Sequence, residues 1–170
     1  MNILAASLSI TSFFVLWGVF CKVLSERRSA FLSASILWAI WAVLITEILS
    51  LFRALTFAAV LAAWGIIFSL ALIGWIRLMG FPKNPWWRFK LPKIPRFEFF
   101  VLSAGTFIVF VVGLIAFVAP PNTWDSMTYH LPRVMHWIQD RSVAYYPTFI
   151  LRQLYLAPGA EYLILQFQIL

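Results

Sequence analysis

The sequence predicts an all-α polytopic membrane protein with four complete transmembrane helices and part of a fifth. Short interfacial helices are expected in one outer loop. Three observations carry this. First, 63% of the 170 residues are hydrophobic and only 11% are charged, with a mean hydropathy of +0.91. A soluble domain has too little polar surface to cover that much apolar area. Second, several apolar stretches reach the roughly 20 residues that a helix needs to cross a bilayer core of about 30 Å. Third, the basic residues alternate between the ends of those stretches, as loop charges do when they set topology.

The first span runs from about Ile3 to Val23. No basic stretch precedes it and no small-x-small cleavage site follows, so it is read as a retained helix and not as a signal peptide. Cys21 is the single cysteine, which excludes an intrachain disulfide. The second span is expected over Ala30 to Phe52 and the third over Leu55 to Leu78. The join around Arg53 and Thr56 is short, so these two helices are expected to form a tight hairpin. Then comes "GFPKNPWWRFKLPKIPRFE", residues 80–98, with four prolines and five basic residues. Proline at that density breaks regular structure. Trp86 and Trp87 read as interfacial anchors beside basic residues that face lipid headgroups. The fourth span is expected over Phe99 to Val118, ended by Pro120 and Pro121.

Nine basic residues fall on one side: Lys22, Arg27, Arg28, Arg77, Lys83, Arg88, Lys90, Lys93 and Arg96. Four fall on the other: Arg53, Arg133, Arg141 and Arg152. The richer side is assigned to the cytoplasm. The amino terminus and the 120–154 loop are then outside. The net charge of +7 is therefore spent on topology, and no contiguous basic face suggests nucleic acid. A fifth apolar run begins near Ala160 and reads "EYLILQFQIL". The sequence stops inside it, which leads to the expectation that the chain is the amino-terminal part of something longer.

The chemistry concentrates in "TWDSMTYHLPRVMHW", residues 123–137. Residues 122–125 offer several helix N-caps. Asp125 and Tyr129 are four apart and share a face of any helix there. Pro132 is expected to interrupt, keeping Leu131 out of helical geometry and starting a second helix to about Asp140. That helix is amphipathic and suited to the plane of the interface. On residue types alone, Asp125 is a cap, and His130 and His136 are interfacial hydrogen-bonders. Arg133 then lies over Trp137, a cation–π contact of about 0.5–1 kcal/mol. A metal held by Asp125, His130 and His136 matches no familiar ligand spacing.

The longer strings "WDSMTYHLPRVMHWIQDRSVAYYPT" and "RQLYLAPGAEY" resemble the GT-C-type glycosyltransferases. That superfamily includes protein O-mannosyltransferases and lipid A aminoarabinose transferases, and the likeness is to its bacterial branch. It covers residues 99–170: the fourth span, the outer loop 120–154 and the start of the fifth. Residues 1–98, with three helices and the basic cytoplasmic loop, fit more loosely as an amino-terminal addition. The resemblance implies an enzyme of the bacterial inner membrane. It would transfer a sugar from a polyprenyl-phosphate donor to an acceptor at the outer face. It assigns the first-loop acidic role, that of general base, to Asp125. It makes Tyr129, His130 and Arg133 substrate-positioning residues, Arg133 being suited to a phosphate. Many relatives carry a second acidic residue beside the first. Ser126 stands there in this chain, so no paired-carboxylate role and no metal is implied.

Two further acids remain. Glu47 lies inside the second span near its outer end, where an acid raises functional suspicion, and is read as an interfacial or packing residue. Glu161 opens the fifth run and could face the same outer cavity. A rival reading is a non-enzymatic membrane scaffold or assembly subunit that docks through the outer segment. A transporter is disfavoured, because its spans would carry more polar residues and broken helices.

Overall fold

The computed structural model describes residues 2–78, 95–119 and 121–170. The expected anchors Trp86 and Trp87, and the stop at Pro120, lie outside the described residues. The chain is an all-α polytopic membrane protein. Four helices are long and apolar enough to cross a membrane: α1 (Ile3–Val23), α2 (Arg27–Leu51), α3 (Phe57–Leu78) and α4 (Arg96–Val118). A π-helical segment, Ser126–His130, leads into α5 (Leu131–Asp140). The short α6 (Arg152–Tyr155) and then α7 (Gly159–Ile169), on the fifth apolar run, complete the order.

The bundle core uses small residues. α1 buries Ala5, Ala6, Ser9, Ser12 and Leu16, while α2 buries Ala30, Ala34, Ala42, Ile45, Thr46 and Ser50. Small side chains let backbones approach closely where lipid offers no hydrophobic drive to pair helices. Gly18 is the extreme case, since a Cβ there would lie 1.5 Å from the Trp75 ring of α3. The buried hydroxyls bond back to their own helices: Ser12 to Leu8 O at 2.7 Å and Thr46 to Ala42 O at 2.9 Å. Indoles tie helix to helix, Trp38 Nε1 donating to Ser9 O at 2.9 Å and Trp41 Nε1 to Ala63 O at 3.3 Å. α4 buries no residue, so its whole apolar circumference is left for lipid.

The expected tight hairpin of α2 and α3 needs correction. Their connection is short, but α1 packs extensively against both, and they meet each other much less. The small-residue stripe on α1 is the reason.

α2 ends in a Schellman motif. Arg53 takes a left-handed conformation (φ 51°). Its N–H reaches Ser50 O at 3.0 Å, and Ala54 N–H reaches Leu49 O at 2.8 Å. α5 ends likewise at Arg141 (φ 53°), with Ser142 N–H on Trp137 O at 3.2 Å. The two ends dock on each other. Leu55 N–H donates to Arg141 O at 3.4 Å, the Ser50 and Ser142 hydroxyls lie 3.0 Å apart, and Val143 N–H donates to Ser50 Oγ at 2.8 Å. An arginine at a position that favours glycine carries a strain of about 1 kcal/mol. Arg141→Gly is therefore expected to stabilise the protein by about 0.5–1 kcal/mol. An unfolding midpoint in SDS–micelle titration that rises for glycine, and not for alanine, is the check.

α7 is pinned to the bundle by an amide. Gln166 Nε2 donates to Ala42 O at 2.7 Å and Thr46 Oγ1 at 2.8 Å, and its Oε1 accepts from Trp64 Nε1 at 2.8 Å. Both donors and the carbonyl are satisfied, so a polar group is tolerated in an apolar core. Beyond this point α5, α7, the α2–α3 connection and the loop after α5 share a second cluster of Leu55, Val134, Trp137, Tyr146, Tyr162 and Leu165. The apolar face of α5, expected to lie on the membrane interface, is thus largely covered by protein.

Candidate functional site

The connector between α4 and α7 starts at a threonine cap. Thr123 Oγ1 accepts from Ser126 N–H at 3.2 Å. Asp125 makes no capping bond, so of the candidate caps in residues 122–125 Thr123 is the one used. Nor does the helix break at Pro132. Leu131 is fully helical (φ −71°, ψ −43°), and the π-helical segment runs straight into α5. Proline cannot donate to the carbonyl four residues back, and its ring crowds that carbonyl. The wider π turn relieves the crowding. The carbonyl concerned, Thr128 O, instead accepts from Gln153 Nε2 at 2.7 Å.

Gln153 is a hub. Its Oε1 accepts from the Tyr146 hydroxyl at 2.9 Å and from Thr148 at 3.1 Å. Burial raises the pKa of the Tyr146 phenol above its ordinary 10.0; nearby Arg133 opposes the shift and Asp140 adds to it. A pKa higher in the folded state means that stability is level below about pH 10 and falls as pH rises beyond it. That alkaline loss is expected to shrink in Tyr146→Phe, which circular dichroism between pH 8 and 11, on the order of the phenol range, will follow.

Arg133 stands at the centre and is 1% exposed. Nε donates to Gln153 O at 2.5 Å, Nη2 to Arg152 O at 3.1 Å and Leu156 O at 3.0 Å, and Nη1 to Glu161 at 3.1 Å. Its guanidinium lies 5.4 Å from the Trp137 ring centre, the cation–π contact expected from the sequence. Four of its five N–H groups are thus taken by the chain. A phosphate could be met only by the fifth, or by giving up one of these bonds. Glu161, also 1% exposed, shares the same oxygen with His130 Nδ1 at 2.9 Å. The His130 ring lies 3.9 Å from that of Tyr129, centre to centre. Tyr129, His130 and Arg133 are therefore brought onto one patch. Glu161, 28 residues from Arg133, is the partner that spacing did not reveal; its only signal is an acid opening an apolar run.

Asp125 sits apart and open. Its side chain is 59% exposed, and its ion-pair partner is Arg152, 3.8 Å away and 58% exposed. A surface pair of that kind contributes about 0–1 kcal/mol. His136 stacks on Tyr146 with ring centres 4.2 Å apart, well occupied elsewhere. Among the described residues no three His, Cys, Asp or Glu side chains gather as a metal site would need.

A cavity of about 300 Å³ lies beside Arg133. Glu47, Arg133, Trp137, Tyr146 and Tyr162 line it, together with Tyr145, Tyr155 and Pro158. The Tyr162 hydroxyl donates to Glu47. Of the residues singled out in the connector by sequence, Arg133 lines this cavity, and Asp125, Tyr129 and His130 do not. No protein-family model, no curated protein and no solved structure matches this chain.

Proposed function

We propose that the chain forms part of a GT-C-type membrane glycosyltransferase and carries its acceptor-activating loop. The enzyme transfers a sugar from a polyprenyl-phosphate donor to an acceptor at the outer face of the bacterial inner membrane. The observation that carries the reading is the availability of Asp125. Where the neighbouring acid on α7, Glu161, is buried and doubly bonded, this carboxylate is exposed, caps nothing and has one loose partner. The resemblance of residues 123–137 to that superfamily supports the same assignment.

In the reaction the acceptor hydroxyl loses its proton to the Asp125 carboxylate as its oxygen bonds the anomeric carbon. The bond from that carbon to the phosphate oxygen breaks, and polyprenyl phosphate leaves with the electron pair. The leaving group is already good, so positioning and deprotonation of the acceptor are the protein's main tasks. Tyr129 and His130, beside each other on the patch, suit a positioning role; Arg133 holds the loop that carries Arg152. The amino terminus and connector lie outside, with the basic 80–98 segment in the cytoplasm. The test is transfer from a labelled polyprenyl-phosphate sugar by the full-length protein, wild type against Asp125→Asn. Undiminished transfer by the variant overturns the assignment.

A further inference from the structure

Glu47 is unused by that reading, and its surroundings are specific. It lies one turn before the end of α2. Its carboxylate lines the cavity and accepts the Tyr162 hydroxyl. Among the described residues no ion pair reaches it. Among the described residues the one cation in the cavity wall, Arg133, is already matched by Glu161 at 3.1 Å and by three carbonyls. Apart from the Tyr162 hydroxyl, no described side chain pairs with the Glu47 carboxylate, and Tyr145, Tyr146, Tyr155 and Trp137 line the same cavity. A carboxylate that shares a cavity with aromatic side chains suits a cation: the carboxylate attracts it, and ring quadrupoles add to the attraction. A second observation points to where the cation comes from. Residues on the same face of α2, Val43, Leu44 and Leu51, are exposed and apolar, as an acyl-chain surface would be. Just beyond the helix end stands Arg53, held by its left-handed turn, a cation suited to a lipid phosphate.

We infer that this cavity binds the primary ammonium group of a membrane lipid, with the ammonium on Glu47 and the acyl chains along the Val43–Leu51 face of α2. The site is independent of glycosyl transfer: it neither includes Asp125 nor needs the sugar donor. The shared chemistry is an ammonium cation of small size; a free amine is its other source.

The experiment uses the full-length protein purified in detergent with added phosphatidylethanolamine, its N-acetylated form or phosphatidylglycerol, and mass spectrometry of the lipid that stays bound. Phosphatidylethanolamine is expected to be retained about ten- to a hundredfold better than the N-acetylated lipid, the range for one charge-assisted bond. Glu47→Gln is expected to lose that preference and Glu47→Asp to keep it. Tyr162→Phe removes the hydroxyl that occupies Glu47 and is expected to tighten retention, a gain that misfolding cannot mimic. Equal retention of the amine and its acetylated form, or of wild type and Glu47→Gln, overturns the proposal. Displacement of the lipid by free ethanolamine at a matching concentration overturns the lipid source and leaves a soluble-amine site.

Discussion

Glu161→Leu is expected to destabilise the protein by about 3–5 kcal/mol, because it strands a buried guanidinium. Glu161 Oε1 meets Arg133 at 3.1 Å and His130 at 2.9 Å. Glu161→Gln keeps a carbonyl oxygen for both donors and is expected to cost less. Arg133→Met is expected to cost at least as much as Glu161→Leu. It leaves Glu161 short of its cation and also removes the donors of the buried Gln153 O and the part-buried Arg152 O and Leu156 O; a stranded buried carbonyl costs about 1–3 kcal/mol. The double variant should lose less than the two single losses added together, since the pair is coupled. SDS-induced unfolding followed by circular dichroism measures all four corners of this cycle. Strict additivity would mean that the two residues do not act as a unit, and that the connector is held by its backbone contacts alone.

Asp125→Asn is expected to lower sugar transfer by about 10²–10⁴-fold, the usual worth of a positioned general base. Its stability should barely move, because the carboxylate is exposed and its pair with Arg152 is long. That contrast separates Asp125 from Glu161. Loss of transfer with an unchanged unfolding midpoint marks Asp125 as reactive. Loss of both would assign it a structural place. Arg152→Ala, which removes the partner and leaves the carboxylate, should retain most of the transfer activity. If it falls as far as Asp125→Asn, the arginine shares the work at the acceptor.

Much of this molecule was legible along the chain. The bounds of α1 agree with the hydropathy reading, and those of α2, α3 and α4 differ by three residues or fewer at each end. Runs of apolar side chains leave a bilayer-crossing backbone no option but to bond internally, so composition alone sets helix number and length. The amphipathic α5 and the contact of Arg133 with Trp137 were also legible, since they depend on neighbours four residues apart. Pro132 misled for a local reason. Its expected break is absorbed by a π turn, and the carbonyl it leaves bare is satisfied by Gln153, which lies 25 residues from Thr128.

Other features had no local signature. Arg133 reads as a free cation until α7 packs on α5 and brings Glu161 against it. Glu47 reads as a helix-end acid until Tyr162, 115 residues away, closes on it. The choice of α1 as the common neighbour of α2 and α3 depends on which stripes of small residues can touch. Spans and turns follow from how each short stretch meets water or lipid, a property of that stretch. Which buried charge finds which partner is decided only when distant helices pack, because a charge leaves water only where its counterpart is already in place.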